Sequence, residues 1–386
     1  MNELPKENMP DGSVSARVRA HGDRLPVPDG IRSGGSAPAL EDNPGKGDLK
    51  SMDLEELTRL IKGKGLPAFR AKQIFQWLHV QHVSGYEEMT NLPAALRTSL
   101  AAEYPLGTAS VVDRQISRVD GTRKFLFRLS DGCLVESVFM RYRFGNSVCI
   151  SSQVGCRMGC RFCASTLHGL VRSLSPSEML EQIYAIIRET GENVSHVVVM
   201  GMGEPLDNYD NLIRFLRLLI CPEGMNLSRR NVTVSTCGIV PNIYRLAEEG
   251  LSITLALSLH ACTDEERRRI MPVAARYSIA ELMEACAFYY EKTGRQITFE
   301  YSLISGVNDG SAQAQGLAEL ARPLKAHVNL IPVNPVRERE YVRPDGAAVQ
   351  AFKKKLEING VNVSIRRALG KDIEGACGQL RNRYSD

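Results

Sequence analysis

Between residues 148 and 331, six short apolar segments (148–151, 197–200, 232–235, 253–258, 298–303 and 327–331) alternate with amphipathic helical patterns. That alternation restricts the fold to an α/β class with a parallel sheet, because each crossover has to carry a helix back over the strands. Six βα units predict an open, partial (β/α)6 barrel of TIM-like type, with its chemistry in the loops after the carboxyl ends of the strands. The first such loop, Gly155-Cys-Arg-Met-Gly-Cys-Arg-Phe-Cys-Ala164, places Cys156, Cys160 and Cys163 within eight residues. Three thiolates can hold an iron-sulfur cluster but leave it one ligand short, whereas structural zinc sites and ordinary electron-transfer clusters are closed by four. The vacant position would accept an exogenous ligand. Zinc with a distant fourth cysteine, or buried free thiols, is the competing reading.

A chain of 386 residues, 43% of them hydrophobic, is long enough for one barrel-sized domain and something smaller. No apolar run approaches the roughly 18 residues of a membrane span, and the first residues mix charge with Pro and Gly, unlike a secretory signal. A cytoplasmic protein with no membrane partner is therefore expected, acting as a monomer. In a reducing compartment its ten cysteines read as metal, catalytic or buried thiols before structural disulfides. The net charge of +4 favours an anionic partner.

Residues 1–50 contain six prolines, seven glycines and no aromatic residue, too little apolar surface to offset chain ordering. Residues 1–51 are accordingly expected to be a disordered tail, or the product of a misassigned start with Met52 as the true beginning. A small helical accessory module follows over 52–105. It opens with an Asp53/Glu56 capping box, followed by Leu57, Leu60 and Ile61 on one face, and continues with Ala71, Ile74, Phe75 and Leu78 at helical spacing. Its basic residues suit RNA or merely a solvated face. Over 106–147 the period shifts to two, and Phe125, Phe127 and Leu129, the Asp131-Gly132 turn and the run 134–139 predict a β-hairpin extension. Glu136 interrupts that apolar run, as a carboxylate facing a cavity, a cation or solvent would.

The C-x3-C-x2-C spacing resembles the signature of radical S-adenosylmethionine (SAM) enzymes. The resemblance implies a 4Fe-4S cluster whose open iron binds SAM and yields a 5'-deoxyadenosyl radical. Motifs at later strand ends agree with it. Gly203 and Glu204, in Gly201-Met-Gly-Glu-Pro205, match the segment that receives the SAM amino group. Ser235, Ser258, Leu259 and His260 offer hydroxyl, backbone and imidazole groups to its carboxylate and ribose, and Asn334 follows the sixth strand as a ribose contact. Cys149 lies on the first strand and Cys377 in the glycine-containing C-terminal tail, 371–386, beyond a barrel expected over 148–370. An exposed cysteine in such a tail can be reactive. The other cysteines read as inert thiols.

From residue 52 to 380 the chain closely resembles the radical SAM adenine C2 methyltransferases of bacterial 23S rRNA and, in some members, tRNA. The shared motifs include Phe69-Arg-Ala-Lys-Gln-Ile74, Ser151-Ser-Gln-Val-Gly-Cys156, Thr298-Phe-Glu-Tyr301, Asn329-Leu-Ile-Pro332 and Ala376-Cys-Gly-Gln379. The resemblance implies methylation of adenosine 2503 of 23S rRNA and of tRNA adenosines, at the expense of two SAM per turnover. Cys377 would accept a methyl group from the first SAM, and the second would generate the radical that activates it. Glu136 would remove the C2 proton, and Cys149 would release the product as a Cys149–Cys377 disulfide. A flavodoxin- or ferredoxin-type reductant would supply electrons. Arg70, Lys72, Arg123, Lys124, Arg366 and Arg367 are candidate phosphate contacts. Methylation at C8 of the same adenosine, and a noncatalytic iron-sulfur RNA-binding protein, are the alternatives.

Overall fold

The computed structural model describes residues 47–380. Most of the expected tail, residues 1–46, lies outside the described residues. Helix α1 (Leu54–Gly63) begins at Asp53, whose carboxylate accepts from the Glu56 N–H while the Glu56 side chain accepts from the Asp53 N–H, the capping box the sequence predicts. Helix α2 (Phe69–His79) buries Ala71, Ile74, Phe75 and Leu78 in the core that also receives Leu57 and Ile61. Helix α3 (Ala94–Glu103) completes the module. The boundary expected at residue 51 is corrected. Residues Leu49–Ser51 form a buried 3-10 turn capped by Asp48, and Lys50 Nζ sits 2.7 Å from Glu181 Oε2 with both side chains closed off from water. Composition could not place these residues, because a buried ion pair depends on a partner far along the chain and leaves no apolar pattern.

The expected hairpin is the pair β2 (Arg123–Arg128) and β3 (Leu134–Tyr142), and it belongs to a longer antiparallel run. Strand β1 (Ser110–Ile116) precedes it, and β3 also pairs antiparallel with β4 (Gly145–Ile150), the first barrel strand. The extension and the barrel therefore share one sheet. Phe125 and Phe127, stacked at 5.8 Å, fill its core face, so Lys124 and Leu126 take the other.

After β4, a small antiparallel ribbon of β5 (Gln153–Gly155) and β6 (Leu170–Ser173) brackets the cysteine loop. The chain then runs through α4 (Pro176–Thr190), β7 (His196–Val199), α5 (Tyr209–Ile220), β8 (Val232–Thr236), α6 (Val240–Glu248) and β9 (Thr254–Ser258). It continues with α7 (Asp264–Ile270), α8 (Ile279–Thr293), β10 (Thr298–Leu303), α9 (Ser311–Ala321), β11 (His327–Pro332), α10 (Gly346–Ile358) and β12 (Val363–Ile365). The sheet order is β1-β2-β3-β4-β7-β8-β9-β10-β11-β12, parallel from β4 onward, which is the expected open partial barrel. Strand β12 is an unforeseen seventh parallel member, three residues long and too short to show a period.

Side-chain alternation divides the barrel chemically. Val148, Ile150, Leu255, Leu257, Phe299 and Tyr301 are buried in the main core, and the intervening residues, Cys149, Ser258 and Glu300 among them, line the concave inner side. Among the described residues no helix is long and apolar enough to cross a membrane.

Candidate active site

Three adjoining cavities, of about 580, 620 and 540 Å³, run along the inner side from the cysteine loop to the C-terminal segment. Cys156, Cys160 and Cys163 line the first. Phe162, Cys163, Met200, Ser235, Ser258 and His260 are common to the first and second, whereas Met200, Asn334, Arg366 and Cys377 are common to the second and third. Cys149 lines the third, together with Cys377.

Backbone bonds at several points hold the cysteine loop. Cys156 N–H donates to Gly169 O at 2.8 Å and Arg161 N–H to Ile270 O at 2.9 Å, tying the loop to β6 and to the end of α7. Gly155 has to be glycine, since its φ is 76° and a Cβ would stand 2.0 Å from Gly169 O. Burial pushes the Cys156 thiol up to about 12 and raises Cys160 and Cys163 as well, with neighbouring thiols adding to the shift of each. Such crowding is costly for thiolates that lack a cation and suits a set of metal ligands. No three His, Cys, Asp or Glu side chains among the described residues stand close enough to hold a single metal ion. The three loop thiols line one cavity of about 580 Å³, a soft donor set that fits an iron-sulfur cluster.

The predicted cofactor residues are mostly brought together. Gly203 lines the first cavity at φ 98°, where a Cβ would clash with Gln153 at 2.6 Å. Glu204 beside it is buried, and its carboxylate accepts from Cys237 N–H at 2.7 Å and Leu206 N–H at 3.1 Å, while burial raises its pKa. Ser235 and Ser258 meet at 3.3 Å between their hydroxyls, facing the first two cavities. His260 adopts the left-handed region at φ 58°, an uncommon state for a non-glycine residue. Its Nδ1 accepts from Ser302 N–H at 2.8 Å, which places any ring proton on Nε2. Leu259 is not brought in. It is fully buried away from the cavities, and its N–H is used by Glu300 O.

Cys149 sits among Val138, Met140, Met202 and Leu380, and burial, followed by the nearby Cys377, pushes its thiol up to about 12. The segment expected to be a C-terminal tail is held, through residue 380, against the cysteine loop. Ala164 N–H donates to Gly378 O at 2.8 Å, Ser165 Oγ to Leu380 O at 2.7 Å and Asn334 Nδ2 to Cys377 O at 3.1 Å. Glu136 shares a β3 face with Val138 and Met140, which line the third cavity, yet it stands outside that lining, 3.4 Å from Lys124 Nζ. Lys124 is therefore buried and unable to serve as a phosphate contact. Arg123 is engaged with Glu192, and Arg366 is half-buried, lining the second and third cavities and paired with Glu300 at 3.6 Å, whereas Arg367 and Lys72 are exposed.

Sequence reasoning missed three residues here. Glu300 lines the second cavity, buried, with Asn329 Nδ2 donating to it at 3.0 Å and its pKa raised by burial. An acid within an apolar strand was the available signal, the same one that drew attention to Glu136. Cys237, set aside as inert, lines the first cavity and packs on Cys160. Arg267 is fully buried and donates to the carbonyls of Cys237, Ser258 and Leu259, fixing two strand ends at once.

Burial holds His79 and His260 neutral, each with a pKa near about 3. The unfolded chain takes up a proton on each below roughly pH 6.5, whereas the folded chain does not until far lower pH. Their contribution is thus complete above about pH 6.5 and is lost as pH falls, at up to about 1.4 kcal/mol per unit for each residue. Urea midpoints measured from neutral pH down to about pH 5 should fall, and His79→Gln should flatten that slope. An unchanged slope in the variant would overturn the assignment.

Comparison with known proteins agrees with this geometry. Residues 150–314 match the radical SAM superfamily model, and residues 47–105 match the ribosomal RNA large subunit methyltransferase N-terminal domain. A protein of Lachnoclostridium phytofermentans described as a probable dual-specificity RNA methyltransferase RlmN is 58% identical, over 88% of this chain and 95% of its own length. One of the same description from Symbiobacterium thermophilum is 54% identical, over 88% of this chain and 92% of its own. The crystal structure of a radical SAM methyltransferase from Sphaerobacter thermophilus superposes with a TM-score of 0.84 at 44% identity, covering 87% of this chain and 99% of that one. With identity of this extent, and with both the barrel and the amino-terminal module matched, the chain belongs to the RlmN family of dual-specificity RNA methyltransferases within the radical SAM superfamily.

Proposed function

We propose that this RNA methyltransferase acts at C2 of adenine in 23S rRNA and tRNA through an S-methylated Cys377, using two SAM per turnover. The observation that carries the proposal is the shared lining of one cavity by Cys149 and Cys377, residues from opposite ends of the barrel sequence, next to the cavity of the cysteine loop. When bound, a 4Fe-4S cluster with SAM supplies a deoxyadenosyl radical able to take hydrogen from an S-methyl group. C2 of adenine has no nucleophilic lone pair, so ordinary displacement on a methyl sulfonium fails there and radical addition is required. Cys156, Cys160 and Cys163 would hold the cluster. Gly203, Glu204, Ser235, Ser258, His260 and Asn334 would seat SAM, with the Glu204 carboxylate on its amine.

In this scheme Cys377 carries the methyl group and, once activated, joins the base through its methylene carbon; the open-shell adduct would give up one electron, for which the bound cluster would be the acceptor. Glu136, ion-paired with Lys124 at 3.4 Å, would accept the C2 proton. Cys149 then attacks the Cys377 sulfur, the sulfur–carbon bond breaks with its electron pair going to the methylene carbon, that carbon takes up a proton, and the methylated base leaves behind a Cys149–Cys377 disulfide for an external reductant. Burial holds Cys149 as a thiol at neutral pH, so it must give up a proton before it attacks.

Membership of an enzyme family removes the support for a noncatalytic iron-sulfur RNA-binding protein. C8 methylation uses the same cysteines and is separated by product. Nucleosides from RNA treated with reconstituted enzyme should contain 2-methyladenosine by mass spectrometry, and 8-methyladenosine in its place would refute the C2 assignment.

A further inference from the structure

We propose that Tyr142 and Phe144 form a stacking platform for an RNA base adjoining the target adenine. The inference rests on the reading that the cavity of Cys149 and Cys377 receives that adenine. Strand β3 ends at Tyr142, and the chain returns into β4 at Gly145, paired with Tyr142. The turn is tightly fixed, since Gly145 has φ 130° and a Cβ there would stand 2.1 Å from Ser195 Oγ. At this turn Phe144 is 67% exposed. A lone exposed phenylalanine needs no explanation, but this one is organised. Its ring lies parallel to Tyr142 at 4.9 Å and 9°, and meets His196 edge-on at 5.0 Å. Tyr142 in turn lines the cavity holding Cys149 and Cys377, so the aromatic stack runs from that cavity out to solvent.

The surroundings favour a polyanion. Arg143 is exposed, with no ion pair among the described residues, and the exposed Arg367 lines the cavity beside Tyr142. Glu192, the neighbouring acid, is already engaged by Arg141 and Arg123. A base drawn out of a stack into a barrel leaves its neighbours with uncovered faces. Aromatic side chains beside cationic ones are how unstacked RNA bases are held, and each such contact affects affinity on the order of tenfold.

The test measures binding of a fluorescent RNA hairpin to anaerobic holoenzyme, with methyl loading of Cys377 followed by intact mass in the absence of RNA. Phe144→Ala should bind RNA about tenfold more weakly, Phe144→Trp should match or exceed the parent, and Phe144→Leu should remain weak, all with normal loading. Wild-type affinity in Phe144→Ala, or full rescue by leucine, would overturn the platform. So would unchanged RNA binding with slower reduction by a flavodoxin, which would make the patch a protein-docking site. Failure of the unsubstituted enzyme to load Cys377 would instead strike the proposed reaction, leaving a Phe144-dependent RNA affinity intact.

Discussion

Cys149→Ala should convert the enzyme into a trap that holds RNA covalently on Cys377. In the proposed scheme the substitution removes only the step that breaks the sulfur–carbon bond, so the steps that build the adduct should continue and their product accumulate. Cys149 is enclosed by Val138, Met140, Met202 and Leu380, an apolar setting in which alanine costs about 1 kcal/mol through a small void, so the fold survives. Turnover should fall on the order of a thousandfold or more, as expected when a nucleophile is removed. A denaturing gel should show RNA migrating with protein, and Cys149→Ala/Cys377→Ala should abolish the shifted band. Normal turnover by the single variant would show that another group resolves the intermediate.

Cys377→Ala should be as inactive in methyl transfer, on the order of a thousandfold or more, but form no adduct. The segment's anchors make the experiment clean. Asn334 Nδ2, Ala164 N–H and Ser165 Oγ all bind main-chain carbonyls of residues 377–380, so alanine keeps every one of them. The cysteine loop is untouched, and iron content and the visible absorption of the cluster should match the parent. Intact mass after incubation with SAM should show no added methyl group. Methylated RNA at more than a trace from this variant would end the S-methylcysteine scheme.

Both experiments concern residues whose candidacy came from family resemblance, and the structure explains why residue patterns alone could not pair them. Cys149 stands between Val148 and Ile150 on β4, and period-two alternation puts it on the inner face, but alternation does not say what it meets there. Cys377 follows β12, a strand too short to announce itself, and its position depends on hydrogen bonds to a loop more than two hundred residues earlier in the chain. Glu136 and Glu300 each place an acid in an apolar strand, a local pattern that does not tell which of them faces a cavity. Their partners, Lys124 and Arg366, were read as surface cations because nothing local distinguishes a buried ion pair from two solvated charges.

The amino-acid order by itself determined the βα alternation, the capped helix α1, the three-thiol loop and the glycines Gly155 and Gly203 that allow close backbone approach, since all of these are written in local periodicity and local sterics. Tertiary structure decided the rest. It ordered residues 47–51 around Lys50, withdrew Leu259 and Lys124 from the roles first given to them, brought Glu300, Cys237 and Arg366 to the cavities, buried Arg267 against two strand ends, and set Phe144 against Tyr142 at the outer cavity. Those outcomes depend on contacts between residues distant in the chain, whose energies arise only when burial removes water from both partners.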